Sequence, residues 1–122
     1  MKTVLVTGAN KGIGREVARQ LAERGFHVFI GARNARAGRT AAQDLAKEGR
    51  KSTFLEIDVS DDASVKAAAR EFARQSDHLD VLVNNAGVIV DGDDGMLKIS
   101  DDIVRKTIET NTLGALRVTR AF

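Results

Sequence analysis

The sequence predicts an α/β protein in which helices cover both faces of a doubly wound parallel sheet. Strand and helix signals alternate along the chain, and the strand segments are near-continuous apolar runs such as Val4-Leu5-Val6 and Val28-Phe29-Ile30. Such runs are typical of strands that are buried on both faces. Right-handed crossovers between parallel strands then favour the strand order 3-2-1-4. With 122 residues, the chain is expected to form one domain over residues 1–122.

Each strand is predicted from its apolar run and each helix from its apolar spacing and its ends. The predicted strands cover residues 3–7, 27–32, 52–57 and 79–83. The predicted helices are residues 12–24, ended by Gly25, a helix capped by Asn34 and ended by Gly49, a helix capped by Ser60, and a last helix capped by Ser100 that runs toward Phe122. Glycine favours such helix ends because it adopts the left-handed conformation at no steric cost. The apolar face of the third helix is predicted to hold Val65, Ala69, Phe72 and Ala73.

A glycine loop joins the first strand to the first helix. Gly8, Gly12 and Gly14 have the spacing G-x-x-x-G-x-G. This order of strand, glycines and helix suits a dinucleotide pyrophosphate, since glycine allows close approach of the backbone and the helix start offers free N–H groups. The alternative is a tight turn that binds no ligand. The loop also contributes Thr7, Asn10, Lys11 and Ile13 to the predicted cofactor site.

The end of the second strand indicates which dinucleotide is bound. Sites that prefer NAD place an acidic residue about 20 positions after the glycine loop, to bond the ribose 2′-hydroxyl. Arg33 occupies this place, followed by Asn34, and no Asp or Glu occurs between Glu23 and Asp44. A guanidinium at this place can bind a 2′-phosphate through two hydrogen bonds, and Lys11 adds a second positive charge. The pattern favours NADP(H); the alternative is that both cations are solvated loop residues.

Two further motifs follow strands at the carboxyl edge of the sheet, where open α/β sheets bind ligands. Asp58-Val59 follows the third strand, and Asp58 either accepts a hydrogen bond from an adenine amino group or forms the turn before a helix. Asn84-Asn85-Ala86-Gly87 follows the fourth strand, where Ala86 and Gly87 leave room for a cofactor ribose or mark an ordinary turn. Asn111, a poor helix former, lies inside the last predicted helix.

Composition excludes several other classes of function. The net charge is +2, the basic residues are dispersed, and the only aromatic residues are five phenylalanines, so we expect no nucleic-acid partner. No apolar segment is long enough to cross a bilayer, so we expect no membrane partner. The absence of cysteine fits a reducing compartment, and we expect a cytoplasmic location. His27 and His78 lack an acidic partner at ligand spacing, and the acidic loop at residues 91–95 does not fit a calcium register, so we expect no metal site.

Taken together, these motifs resemble the short-chain dehydrogenase/reductase family. The resemblance rests on the loop at residues 7–14, on Asp58-Val59, on Asn84-Asn85-Ala86-Gly87, and on Asn111 at its expected place in the long helix. Four motifs in order are far more specific than any one of them. The resemblance covers the whole chain but only the front half of a family member.

The resemblance implies a role for each matching residue. Gly8, Gly12 and Gly14 would shape the pyrophosphate site and Thr7 would stabilise the loop. Lys11 and Arg33 would bind the 2′-phosphate of NADP(H), and Asp58 would contact adenine. Asn85, Ala86 and Gly87 would line the nicotinamide-ribose side. Asn111 would be the catalytic residue that anchors a water molecule and the proton relay.

The chain departs from the family pattern in its proton-transfer residues. The family's chemistry needs a Tyr, a Lys four residues later and an upstream Ser, whereas this chain has no Tyr and no Lys after Lys106. We therefore expect a truncated, cofactor-binding half that is inactive as an isolated chain. The alternative is a non-enzymatic nucleotide-binding or self-assembling module. An unpaired apolar strand at residues 79–83 and the helix at 100–122 are expected to produce a homo-oligomer.

Overall fold

The computed structural model describes residues 1–87 and 101–122. The acidic loop at residues 91–95 and the predicted cap Ser100 lie outside the described residues. Within the described part of the chain, the predicted alternation of strand and helix is confirmed.

Four parallel strands form one sheet in the order β3-β2-β1-β4, as predicted. The strands are β1 (Thr3–Thr7), β2 (His27–Ala32), β3 (Ser52–Glu56) and β4 (Val81–Val83). Every residue of β1 and β2 is buried, which is why these two strands have the most continuous apolar runs. At the β4 edge, by contrast, Val81 is 37% exposed.

The helices lie on both faces of the sheet. They are α1 (Gly12–Glu23), α2 (Ala35–Lys47), α3 (Asp62–Gln75), α4 (Asp101–Ile108) and α5 (Gly114–Ala121). A π-helical turn, Glu109–Leu113, joins α4 to α5 and is called the wide turn below. The wide turn interrupts the single long helix predicted from the sequence, and it contains Asn111.

The core consists of two layers because alternate residues of each strand point to opposite faces of the sheet. Val4, Val6, Val28 and Ile30 pack with α1 and α2 on one face. The other face holds Leu5, Phe29 and Leu55 against α3 and α5, and it includes an aromatic stack: the ring centroids are 4.7 Å apart for Phe29–Phe72 and 5.6 Å apart for Phe72–Phe122. This two-layer packing holds the carboxyl edge of the sheet in place.

Three predicted helix ends are confirmed, at Gly25, Asn34 and Gly49, and one differs. Gly25 and Gly49 have φ values of 92° and 78°, in the left-handed region. The cap of α3 is Asp61 rather than Ser60: its Oδ1 accepts the backbone N–H groups of Ala63 and Ser64 at 3.0 and 3.4 Å. The Ser60 hydroxyl is not available as a cap because it donates to Asp58.

The buried face of α3 also differs from the prediction in its alanines, and Ala69 is only half-buried. Val65 and Phe72 are buried as expected, but Ala68 is buried while Ala73 is exposed. Residues 65, 68 and 72 follow the i, i+3, i+7 spacing of a single helix face, which Ala73 lies beyond.

The two histidines differ in their surroundings, and only His78 lies at the surface. His27 is only 8% exposed, its Nε2 lies 2.8 Å from the Thr53 hydroxyl, and burial lowers its pKa. His78 is exposed but contacts two carboxylates, Asp77 at 2.5 Å and Asp80 at 3.2 Å. The sequence could not show the Asp80 contact, because it depends on the turn that leads into β4.

No helix among the described residues is both long enough and apolar enough to span a bilayer.

Candidate functional site

The glycine loop turns the chain from β1 into α1 at the carboxyl edge of the sheet. Gly8 and Gly12 have φ values of 63° and 61°, which glycine tolerates best. A Cβ at Gly8 would lie 2.9 Å from the Cα of Ala86, and one at Gly14 would overlap the Gly8 carbonyl and the Asn85 side chain. A Cβ at Gly12 would meet no atom of the described residues within 4 Å. Gly8 and Gly14 thus allow the loop to pack against the end of β4, while Gly12 faces open space.

Thr7 and Asn85 hold this packing in place. The backbone N–H groups of Asn85 and Ala86 donate to the Thr7 hydroxyl at 3.1 and 3.0 Å. The Asn85 side-chain amide donates to the Gly8 carbonyl at 3.1 Å. Thr7 is 1% exposed, so these hydrogen bonds lie beneath the loop surface. They explain locally why the strand ends in Thr-Gly and why an amide follows β4.

The start of α1 is left open on the loop side. Lys11 is the cap residue and, among the described residues, makes no side-chain hydrogen bond to the first turn. At α2, by contrast, the Asn34 side chain accepts the N–H of Ala37 at 3.0 Å. The first turn of α1 therefore keeps its N–H groups and the positive end of its dipole for another acceptor.

Exposed cations border the same edge. Lys11 and Arg33 are both exposed, and both line the cleft described below. Arg39, a third basic residue in this region, instead lies over the Phe54 ring, 5.6 Å from its centroid. The absence of a Cβ at Gly38 lets α2 pack directly against that ring. Lys11 and Arg33 therefore lie at the cleft, whereas Arg39 lies on the surface of α2 against the Phe54 ring.

Asp58 is half-buried at the end of β3, and one of its two oxygens is occupied. Its Oδ1 accepts the backbone N–H of Ser60 at 3.0 Å and the Ser60 hydroxyl at 2.6 Å. The Ser60 hydroxyl bond, aided by the charge of Arg33, holds the pKa of Asp58 below its usual value. The turn geometry considered in the sequence is therefore present, and the carboxylate also lines the cleft.

These elements enclose a cleft of about 670 Å³ along the carboxyl edge of the sheet, within the size range of ligand sites. Of the residues predicted from the sequence, the structure brings Gly8, Asn10, Lys11, Gly12, Arg33, Asn34, Asp58, Val59, Asn85, Ala86 and Gly87 into its lining. Thr7 and Gly14 are buried behind the loop, and Ile13 is 78% exposed on α1 without lining the cleft.

The wide turn borders the far end of the cleft. Thr110, 9% exposed, lines the cleft, and Asn111 lies beside Gly87: a Cβ on Gly87 would be 3.1 Å from the Asn111 Oδ1. π-Helical turns of this kind are rare and occur frequently at functional sites. The turn places two polar side chains of consecutive residues near the end of β4.

Arg117 connects the wide turn to the end of β3, and sequence analysis missed it. Its Nη1 donates to the Val59 carbonyl at 3.3 Å and to the Glu109 carbonyl at 3.2 Å, and its Nη2 pairs with the Glu109 carboxylate. Gly114 allows the approach, since a Cβ there would lie 2.8 Å from a Val59 methyl group. On a regular helix, Arg117 would lie about two turns away from Glu109, so the sequence does not predict this contact.

Three residues that line the cleft were not predicted from the sequence: Ala32, Ile57 and Thr110. Ala32 ends β2, and Ile57 follows β3 directly, so their apolar character is equally explained by strand burial. Their positions at the carboxyl edge of the sheet were the one sequence feature that could have predicted a place in the cleft.

Fold and cleft together define a doubly wound α/β protein with its ligand site at the carboxyl edge of a parallel sheet. The chain belongs to the short chain dehydrogenase family, whose model matches residues 2–122. The family resemblance inferred from the four motifs is thereby confirmed.

Individual relatives agree with this assignment. Retinol dehydrogenase 12 of Mus musculus is 42% identical over 91 residues, which are 73% of this chain and 29% of that protein. The 3-oxoacyl-(acyl-carrier-protein) reductase FabG of Chlamydia trachomatis is 38% identical over 116 residues, 94% of this chain and 46% of that protein. An alcohol dehydrogenase structure from Thermococcus sibiricus, complexed with 5-hydroxy-NADP, superposes with a TM-score of 0.93 at 32% identity, covering 100% of this chain and 52% of that one. This chain thus spans less than half the length of both curated relatives.

Proposed function

We propose that residues 1–122 form the NADP(H)-binding domain of an oxidoreductase that transfers a hydride between nicotinamide and a carbonyl or alcohol. The observation that carries the proposal is the arrangement of the cleft: an open glycine loop and an uncapped helix start lie beside Lys11 and Arg33. The open loop and the helix start suit a pyrophosphate, and the two cations suit a 2′-phosphate.

The residues present fit the dinucleotide at each part of the cleft. Gly12 has room for a close phosphate, and the first turn of α1 offers N–H donors. Gly8 and Gly14, with Thr7 beneath them, keep the loop against β4. In this proposal Asn10 borders the bound cofactor, and Ile13 takes part through its backbone N–H in the first turn of α1. The NADP derivative in the Thermococcus sibiricus neighbour supports the assignment.

The base and the nicotinamide would lie at opposite ends of the cleft. Asp58 and Val59, with Asn34 nearby, would border adenine and its ribose, while Asn85, Ala86 and Gly87 would border the nicotinamide ribose. Asn111, beside Gly87, would be the catalytic residue of this half, holding a water molecule for proton transfer. The dinucleotide supplies the hydride; the chain contains no tyrosine to supply the proton, so we expect no turnover from the 122 residues alone.

Titration with NADPH and NADH tests the cofactor assignment. The unmodified chain should bind NADPH more tightly, and Arg33→Asp should weaken NADPH about 10- to 100-fold, the value of a charge-assisted contact. Arg36→Asp is the matched control: it makes the same charge change on α2 at an exposed residue that does not line the cleft, and it should cost no more than about threefold. Equal affinity for both nucleotides in the unmodified chain would refute the proposal.

Self-association is a second proposal, and it favours an assembling module as the alternative function. Ile108, Leu113 and Leu116 are 49%, 38% and 43% exposed on the α4–α5 segment, and Val81 is 37% exposed on β4. Either the β4 edge or the helix surface would join copies of the chain. Light scattering of the unmodified chain and of Leu116→Arg tests the helix surface. An unmodified chain that is a monomer at all concentrations would rule out both routes.

The proposed cytoplasmic location is tested by cell fractionation.

A further inference from the structure

The two oxygens of the Asp58 carboxylate have different surroundings. Oδ1 accepts two hydrogen bonds from Ser60, at 3.0 Å from the backbone N–H and 2.6 Å from the hydroxyl. Within residues 1–87 and 101–122, no donor contacts Oδ2. Asp58 lines the cleft, so one oxygen is committed to the turn and the other is available to a ligand.

The turn also restrains the backbone that carries the carboxylate. The Ser64 hydroxyl accepts the backbone N–H of Asp58 at 2.9 Å, and the Val59 carbonyl is bound by Arg117. With its backbone held on both sides, the Asp58 side chain is oriented by the two hydrogen bonds from Ser60 to Oδ1, and the shorter of the two comes from the hydroxyl. That bond also lowers the pKa of Asp58. The carboxylate is ionised at neutral pH, and an ionised carboxylate can only accept hydrogen bonds.

We propose that Ser60 is a positioning residue that makes the cleft select a 6-amino purine over a 6-oxo purine. The inference rests on the proposed NADP(H) function, because it assumes that the base lies beside Asp58. When it is held in place, Oδ2 of Asp58 can accept a hydrogen bond from the 6-amino group of adenine. The same acceptor faces the carbonyl oxygen of hypoxanthine, which offers no donor at that position, so the two oxygens repel each other.

The selectivity requires that the carboxylate stay in place. If the Ser60 hydroxyl is removed, one of the two bonds to Oδ1 is lost and the side chain gains rotational freedom. A mobile carboxylate must be ordered again when adenine binds, and it can turn away from a 6-oxo group. Loss of the hydroxyl should therefore weaken adenine binding and relieve hypoxanthine repulsion, which a general loss of stability would not do.

The test compares NADPH with the analogue in which hypoxanthine replaces adenine, both with reduced nicotinamide, by fluorescence titration of the 122-residue chain. The unmodified chain should prefer NADPH by at least about tenfold. Ser60→Ala should reduce this ratio by about three- to tenfold, the cost of ordering one side chain. Ser60→Thr keeps the hydroxyl and should keep the ratio. Ser76→Ala removes a hydroxyl that donates to the His78 carbonyl at 2.8 Å, away from the cleft, and should also keep it.

The outcomes separate the inference from the proposed function. If the unmodified chain binds neither nucleotide, the proposed function fails. If it binds NADPH and Ser60→Ala leaves the ratio unchanged, the inference is overturned while the function stands. Asp58→Asn gives a second measurement that does not depend on the Ser60 variant, because its amide can donate to a 6-oxo group. This variant should invert the preference, and an unchanged preference would overturn the inference as well.

Discussion

The junction between β1 and β4 is built differently at its two ends. At the carboxyl end, the buried Thr7 hydroxyl accepts two backbone N–H groups, and glycines at positions 8 and 14 let the loop meet Asn85. At the amino end, Thr3 is bound to the exposed turn that leads into β4: its N–H donates to Asp80 at 2.7 Å and its hydroxyl to the His78 carbonyl at 2.7 Å. One end relies on backbone groups and close packing, the other on solvent-exposed, titratable side chains.

The difference follows from where the cleft lies. Side chains added at the carboxyl end would overlap the loop, so that end uses glycine and a single hydroxyl, and its hydrogen bonds are shielded from water. Thr3, His78 and Asp80 do not line the cleft, and water can replace lost partners at the amino end. The same pair of strands should therefore tolerate change at one end far better than at the other.

Gly14→Ala should produce the largest effect. Its Cβ would overlap the Gly8 carbonyl and the Asn85 amide, and the backbone cannot move away cheaply. We expect a loss of about 3 kcal/mol in the free energy of unfolding, at the upper end of the range for overpacking. Urea denaturation measures it. Gly12→Ala is the control, since it meets open space and should cost only the left-handed strain, about 1 kcal/mol. If the control cost more, the assignment of Gly14 to packing would be wrong.

Thr7→Val should have the next largest effect. It preserves shape but leaves the N–H of Ala86 without its acceptor, at a cost of about 2 kcal/mol, while the N–H of Asn85 keeps the Val83 carbonyl at 3.1 Å. Thr7→Ser keeps the hydroxyl and loses one methyl group, so it should cost only about 0.8 kcal/mol. Amide hydrogen exchange at Ala86 should accelerate in the Val variant alone. Equal exchange rates in both variants would contradict the role given to the hydroxyl.

Thr3→Val is the same substitution at the other end of β1. It removes the hydroxyl that donates to the His78 carbonyl and makes longer contacts, of 3.3 and 3.4 Å, with the N–H and carboxylate of Asp80. The carbonyl keeps the Ser76 hydroxyl as a donor, and the Asp80 N–H keeps the Thr3 carbonyl as an acceptor. We expect a cost of about 1 kcal/mol, below that of Thr7→Val. Urea denaturation of the two variants under identical conditions gives the comparison directly. A larger loss for Thr3→Val would reverse the proposed difference between the ends.

Protonation of His78 should have the smallest effect, and only the amino end should show it. The Asp77 hydrogen bond and the charge of Asp80 raise the pKa of His78 above 6.5. Its contribution to stability is therefore present below the unfolded pKa and is lost as pH rises through the folded pKa. NMR titration should show His78 titrating above 6.5. Subtracting the pH profile of His78→Gln isolates the effect on stability.

His27 supplies the opposite case and a check on that profile. Burial, with a smaller contribution from the charge of Lys51, lowers its pKa below 6.5. Its contribution to stability is therefore complete above the unfolded pKa and declines as pH falls through that value. The same NMR titration should show His27 titrating below His78. The reverse order would contradict both assignments.

Much of the site could be predicted because its signals are local. The loop from Thr7 to Gly14 joins a strand to a helix within a few residues, Arg33 follows β2 directly, and Asp58 lies two residues after β3. The carboxyl ends of parallel strands meet at one edge, so residues far apart in sequence could be assigned to one cleft. The boundaries of β1 and β2 were predicted correctly for the same reason: their apolar runs begin and end sharply.

The errors have a different origin. Asp61 rather than Ser60 caps α3 because Ser60 is already bound to Asp58, and both serve as cap residues equally well in isolation. Arg117 reaches Val59 only because the wide turn and Gly114 bring α5 against the end of β3.

The sequence by itself determined the parallel sheet, its strand order and the family to which the chain belongs, because these depend on periodicity and on motifs a few residues long. The tertiary structure decided which glycines serve packing and which leaves space for a ligand: Gly14 meets Asn85, about 70 residues away in the chain, while Gly12 meets nothing described. It also decided that one oxygen of Asp58 is occupied and the other available. Such distinctions depend on which distant atoms come within contact distance, and spacing along the chain does not contain that information.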